Sequence, residues 1–273
     1  MVEHETVAAA AQHAHEAAAL PEMPNAVTIL NHLWPHQPVA HALHQWENVA
    51  FAWLIAGGLF LALALAARRL QMVPGRGQSF VETIVEGLDG LVTSILGDEG
   101  RHYTPFIGTL FCYILAMNLA GLVPGLKSPT SSINTTIGLA VCVFLYVQYT
   151  GIRRQGVLNY LKHFAGEPWF LAPLNFVLHT AGEFIKPLSL SLRLFANITG
   201  EDLTIFYLVG LGIAAVGAWT FVGLPLQVLF YPLALLFSLI QALVFSLLST
   251  VYISLMLPHE GHAAHHQHEP REV

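Results

Sequence analysis

Charge is what this sequence has least of. Only 10% of its 273 residues are Asp, Glu, Lys or Arg, where an ordinary soluble domain carries about 25%. So few ions do not dress a water-facing globule, and 55% apolar residues fit a helical membrane protein instead. Positive charge is the scarcer sign: 11 Lys and Arg stand against 17 Asp and Glu, for a net charge of −6. That excludes the basic footprint of a nucleic-acid-binding surface. Cysteine is nearly missing. Cys112 and Cys142 each lie inside an apolar run, and two buried, inert thiols are expected there rather than a disulfide.

Histidine is plentiful but badly placed for a metal site. Of 15 histidines, seven fall in His4–His44 and five in His259–His268, with no cysteine beside them. No metal and no cofactor are expected. Residues 1–45 start acidic, and Gln12, His13, His15 and Glu16 interrupt their Ala-rich stretch. They lack the cationic and apolar regions of a signal peptide and read as an external polar, His-rich tail. Residues 259–273 read as a second His-rich tail, in the cytoplasm.

Between the tails, residues 46–258 form the expected membrane domain, an all-α polytopic bundle of about five crossings plus one surface helix. The first span is 46–70. Its core, Asn48–Ala67, is uncharged and long enough to cross once. Arg68, Arg69 and Arg76 follow it and place that end in the cytoplasm. In 78–97, Phe80, Ile84, Leu88, Leu91 and Ile95 recur at helical spacing, with Glu82, Glu86 and Asp89 on the other side. This is an amphipathic surface helix that either packs on the bundle edge or docks a partner. Two spans, 104–126 and 132–153, form a hairpin through a short polar link expected to lie outside. Arg153, Arg154 and Lys162 then return the chain to the cytoplasm. Residues 168–218 form the long segment that carries Arg193, either one slanted helix or two shorter ones. Leu203–Leu257 holds no charge at all and must turn near Gly217–Pro225 before a last helix, 224–258. The N-terminus is expected outside and the C-terminus inside.

Arg193 is the most telling residue. An arginine at membrane depth costs at least about 2.5–3.5 kcal/mol and cannot shed its proton to escape. At 100° per residue, Lys186, Ser189, Asn197 and Glu201 share its side of a helix, with Glu183 and His179 further down. A polar stripe of this kind suits a proton or ion path; its bland counterpart is helix-to-helix hydrogen bonding. Pro187 either kinks the helix before the arginine turn or is simply tolerated. Gln241, alone among apolar residues, either bonds a neighbouring helix or faces Arg193.

Lys186-Pro-Leu-Ser-Leu-Ser-Leu-Arg-Leu-Phe-Ala-Asn197, Gln241-Ala-Leu-Val-Phe-Ser-Leu-Leu-Ser-Thr-Val-Tyr-Ile-Ser254 and Met117-Asn-Leu with Pro124 and Asn134-Thr together resemble subunit a of F-type ATP synthases. The resemblance spans roughly Trp46–His259. It implies a stator subunit that is not catalytic by itself, multi-pass in a bacterial plasma membrane. Its partners would be the c-subunit ring, the peripheral-stalk b subunits and the remainder of the F1Fo complex. It implies that Arg193 is the essential arginine facing the ring carboxylates, with Asn197 and Gln241 as neighbours, Ser189 as a lining residue, and two proton half-channels. For the acid after the Asn, spacing favours Asp202 and helical facing favours Glu201. A family acid is matched by His179, with Glu183 one turn later; another is replaced by Gly121. The ionisable residue expected before Gln241 is missing, because Ala234, Phe237 and Ser238 do not titrate. Two competing classes are a secondary transporter binding substrate at Arg193 and Glu201, though no internal repeat is visible, and a non-transporting scaffold.

Overall fold

The computed structural model describes residues 46–68, 75–123, 125–156, 172–216 and 226–257. The tails, the predicted turn at Gly217–Pro225, and Arg69 and Lys162 lie outside the described residues. Among those described, every regular element is helical: α1 (Glu47–Ala67), α2 (Arg76–Leu96), a 3-10 turn (Gly97–His102), α3 (Thr104–Ala120), a second 3-10 turn (Pro129–Ser131), α4 (Ile133–Gln155), α5 (Ala172–Val216) and α6 (Leu226–Met256).

Local chemistry sets the breaks. Gly97 ends α2 at φ +67 and Gly156 ends α4 at φ +76, backbone angles that cost a glycine nothing. Pro105 sits in the first turn of α3, where a missing N–H breaks no helical bond. Arg153 and Arg154 fill the last turn of α4 and complement its negative dipole end. The long segment is one helix of 45 residues that runs on through Pro187. The proline has no N–H to give, so the carbonyl of Glu183 loses its helical partner.

Four helices are long and apolar enough to cross a membrane: α1, α4, α5 and α6. The fifth crossing rests on α3, whose 17 residues make about 26 Å at 1.5 Å per residue. It meets α2 at a bend of 119°. At about 68 Å, α5 is more than twice the roughly 30 Å hydrocarbon thickness, so it slants steeply or projects.

The core joins α3 to α6. Ile107, Ile114 and Met117 of α3 meet Val143 and Val147 of α4, Leu190 and Leu194 of α5, and Phe245 and Ile253 of α6, all buried. Leu88 and Val92 of α2 enter the same core, while Phe80 and Val85 stay exposed. The amphipathic helix therefore packs on the bundle through one edge of its apolar face. Helix α1 is barely buried; Tyr113 Oη of α3 donates to the Ala52 carbonyl at 3.2 Å.

Contacts at the helix ends fix which ends share a side. Lys127 Nζ lies 3.7 Å from Glu47 Oε1, which joins the start of α1 to the α3–α4 link. Arg154 pairs with Glu99 at 3.5 Å, and Gln155 Nε2 donates to the Met256 carbonyl at 2.7 Å. The end of α4, the end of α6 and the turn before α3 therefore share the opposite side.

One expectation needs correction. Cys142 is exposed on the outer surface of α4 and Cys112 is half-buried; both are free thiols. Apolar side chains on the outside of a membrane bundle meet lipid, so an apolar run does not imply burial within the protein. The α3–α4 link, expected only to be polar and outside, is also packed against the bundle. Ser128 and Thr130 are buried because they satisfy polar groups of α3.

Candidate functional site

Helix α6 is built to let others come close. Ala234, Ser238, Ala242, Ser246 and Thr250 recur every four residues, and all are at most 1% exposed. At that spacing they line one stripe of the helix. Small side chains there let backbones approach, the usual device of membrane helix packing. Helix α5 answers with Leu190, Leu194 and Ile198, likewise buried. The two run antiparallel. Lys186 Nζ stands 5.6 Å from the Tyr252 ring, and Asn197 Nδ2 donates to Gln241 Oε1 at 2.7 Å.

Arg193 stands at the outer edge of this seam, near Tyr252 of α6. It is exposed, as are Ser189 one turn before it and Asn197 one turn after it. Leu188 and Leu192 share the exposure. Among the described residues no carboxylate pairs with Arg193. A permanent cation thus stands beside exposed leucines, a costly place for charge at membrane depth.

Two acids flank the arginine, and both turn inward. Glu183 is 8% exposed and Glu201 7%. At 100° per residue both lie about 80° to the same side of Arg193, ten residues before it and eight after it. The arginine turn thus faces out at the edge of the stripe, while both acids share the inward face of α5 at different levels along the helix. Glu183 pairs with Lys186 and accepts from Gln148 Nε2 of α4 at 3.2 Å. His179, one turn earlier, is exposed. Glu201 lies on the same flank about five turns further on, beside Ser238 of α6.

Asp202 is half-buried and faces the end of α3. A Cβ on Gly121 would lie 3.6 Å from Asp202 Oδ1 and only 2.9 Å from Ser128 Cβ. Gly121 is thus held small by this approach. Next to it, Thr130 Oγ1 donates to Asn118 Oδ1 at 2.9 Å, and Asn118 Nδ2 donates to the Ser238 carbonyl at 3.4 Å. Ser128 Oγ and Thr130 Oγ1 share a hydrogen bond of 2.6 Å, and Ser128 also donates to the Met117 carbonyl.

The structure therefore brings together Asn197 with Gln241, Glu183 with Lys186, and Glu201 and Asp202 with the α3–α6 contact. It leaves Arg193, Ser189 and His179 on the exposed side of α5. Gln148 was missed in the sequence. Its signal is the one that marked Gln241, a lone amide in an apolar helix. Ser238 and Thr130 gave no signal, since isolated hydroxyls are common in membrane helices.

The family model described as "ATP synthase A chain" matches residues 49–254. A protein of Protochlamydia amoebophila named ATP synthase subunit a is 46% identical over 248 residues, covering 89% of this chain and 92% of its own length. One of Pelobacter propionicus named ATP synthase subunit a 3 is 41% identical over 76% of this chain and 86% of its own length. One of Geotalea daltonii named ATP synthase subunit a is 40% identical, with coverages of 79% and 89%. With the polytopic helical bundle and the Arg193 motif already in place, these matches settle that the chain belongs to the ATP synthase subunit a family.

Proposed function

We propose that this chain is the stator subunit of a rotary F-type ATP synthase in a bacterial plasma membrane, coupling proton flow to rotation of a c-subunit ring. The observation that carries the reading is Arg193, an exposed cation with no carboxylate partner among the described residues, with buried Glu183 and Glu201 about two to three turns before and after it on one side of the helix.

A ring carboxyl facing lipid stays protonated, because burial disfavours the charged form. Opposite Arg193 it ionises, because a fixed nearby cation favours the charge. Glu201 and Asp202 serve the outer half-channel, on the side of Lys127 and Glu47. Glu183 and His179 serve the cytoplasmic one, on the side of Arg154. The acids lie about 12–15 Å from Arg193 along the helix, in opposite directions. Arg193 stands between the levels of these acids, and its fixed charge repels a proton passing directly between them, so the proton rides the ring. Each charge crossing 100 mV yields about 2.3 kcal/mol, so several crossings are pooled per ATP. Asn197 and Gln241 hold the arginine turn against α6, and Ser189 lines its approach. The subunit is not catalytic by itself. The peripheral-stalk b subunits and the rest of F1Fo complete the complex. The N-terminus lies outside and the C-terminus inside, because Arg68, Arg153 and Arg154 gather on one side.

The test is proximity to the ring. Leu192 is exposed beside Arg193. Leu192→Cys, paired with a cysteine one turn from the ring carboxyl, should give an oxidant-dependent cross-link between the two subunits in membranes. Its absence from a fully assembled complex would remove the ring from this surface.

A further inference from the structure

Helix α6 passes the outer acids without bringing a charged side chain. From Leu226 to Met256 it contains no Asp, Glu, His, Lys or Arg. What it does bring to Glu201 is Ser238. The Ser238 side chain is fully buried and Glu201 is 7% exposed. Ser238 faces the Glu201 carboxyl closely enough to interact with it, yet no hydrogen bond of ordinary length joins them, and Ser238 Oγ and Glu201 Oε2 have no other partner among the described residues. Buried polar atoms are almost always satisfied, and an orphaned one carries a cost. Two orphans side by side mark a place where a further hydrogen-bonding group fits.

The rotamer of Ser238 supports this. On the same helix, Ser249 Oγ donates to the Phe245 carbonyl at 2.8 Å, and Thr250 Oγ1 to the Ser246 carbonyl at 2.9 Å. That is the ordinary resting place of a hydroxyl in an apolar helix. Ser238 does not turn back on its own helix; Ser246 Oγ is likewise without a partner among the described residues, and what sets Ser238 apart is the Glu201 carboxyl beside it. Its turn of α6 is held from the other side by Asn118, which donates to the Ser238 carbonyl and is itself fixed by Thr130.

We propose that Ser238 is a positioning residue of the outer half-channel, holding a proton-carrying water against the Glu201 carboxyl in place of a titratable side chain on α6. The hydroxyl donates to the carboxylate or to the water and keeps its own proton. An incoming hydronium gives its proton to the Glu201 carboxylate and leaves as water. The acid later passes that proton toward the ring carboxylate, and Glu201 returns to its charged form. Neither side chain changes over a cycle. Asn118 and Thr130 hold the Ser238 turn in register.

This rests on the outer-relay reading of Glu201, and the experiment separates the two. ATP-driven proton pumping and proton-driven ATP synthesis are measured on whole complexes in membrane vesicles, with complex content determined in parallel. Ser238→Ala removes one oxygen and adds no bulk. It should lower both rates about three- to tenfold, the scale of one buried hydrogen bond, at unchanged content. Ser246→Ala removes an equally buried hydroxyl from the same stripe and should leave both rates near normal. In a Glu201→Gln background, Ser238→Ala should cause little further loss, because the group it positions is gone. If Glu201→Gln is impaired while Ser238→Ala is normal, the present proposal fails and the relay survives. A multiplicative loss in the double variant, or equal losses in Ser238→Ala and Ser246→Ala, overturns it too. If Glu201→Gln itself works normally, the relay reading falls and takes the proposal with it.

Discussion

Asn197 of α5 donates its Nδ2 to Gln241 Oε1 of α6 at 2.7 Å, one turn beyond Arg193. The bond crosses the seam between the two longest apolar helices and joins an exposed residue to one that is 3% exposed. It fixes how the arginine turn sits against α6. Hydrogen bonds between membrane helices average only about 0.6 kcal/mol, too little to hold a complex together.

Gln241→Leu should therefore leave assembly nearly intact. It should reduce ATP-driven proton pumping several-fold, because a 1 Å displacement at a working site is costly. Pumping is read by fluorescence quenching in vesicles matched for complex content. If loss of activity merely tracks loss of complex, Gln241 is a packing residue.

Glu183, Lys186 and Gln148 form a second unit. Lys186 neutralises a carboxylate that is only 10% exposed at its side chain, and Gln148 occupies the other oxygen. Removing one partner of a buried pair leaves the other charge uncompensated, at about 3–5 kcal/mol. Lys186→Ala should lower the amount of assembled complex, and Lys186→Ala with Glu183→Gln should restore much of it. Quantitative immunoblotting of membranes checks this. Equal losses in the single and double variants would show that the pair adds nothing to stability.

How much of this was legible beforehand follows from what sequence periodicity encodes. The Leu- and Ala-rich run of α1, and the arginine motif, report composition and spacing directly. The inward turn of both acids was not legible. A stripe at 100° per residue puts Glu183 and Glu201 on one side of Arg193. That this side is buried while Arg193 stays exposed depends on where α4 and α6 pack, and that is set by distant residues such as Gln148 and the small stripe from Ala234 to Thr250. The continuity of α5 through Pro187 was left open, because membrane helices tolerate proline where their surroundings re-satisfy the freed backbone. Ser128 and Thr130 looked like solvated loop residues until Asn118 came within reach. Cys142 shows the converse: an apolar run gives depth in the membrane but not orientation toward lipid or protein.

Sidedness is testable with two cysteines. Asn134 and Arg153 are exposed at opposite ends of α4. In intact cells an impermeant maleimide should label Asn134→Cys and not Arg153→Cys, and the pattern should change only after permeabilisation. Labelling of Arg153→Cys from outside would invert the topology drawn from the arginines.

Arg193 should be indispensable for a fixed charge at one position. Arg193→Ala and Arg193→Gln remove the cation that makes a passing ring carboxyl ionise. Either should abolish coupled pumping and synthesis while the complex assembles, since the side chain supports no contact in the core. Protons then have a way between the half-channels without turning the ring, so vesicles should leak as well. Arg193→Lys should also fail. Lysine is a point charge on a flexible stem that sheds its proton readily when desolvated, whereas the guanidinium stays charged and offers a rigid fork of donors. The lysine variant separates the two roles open to this residue. A structural cation would be replaced by lysine with activity kept, and alanine would mainly reduce complex content. A stator charge tolerates neither change. Robust ATP-driven pumping by fully assembled Arg193→Ala complexes would end the stator reading.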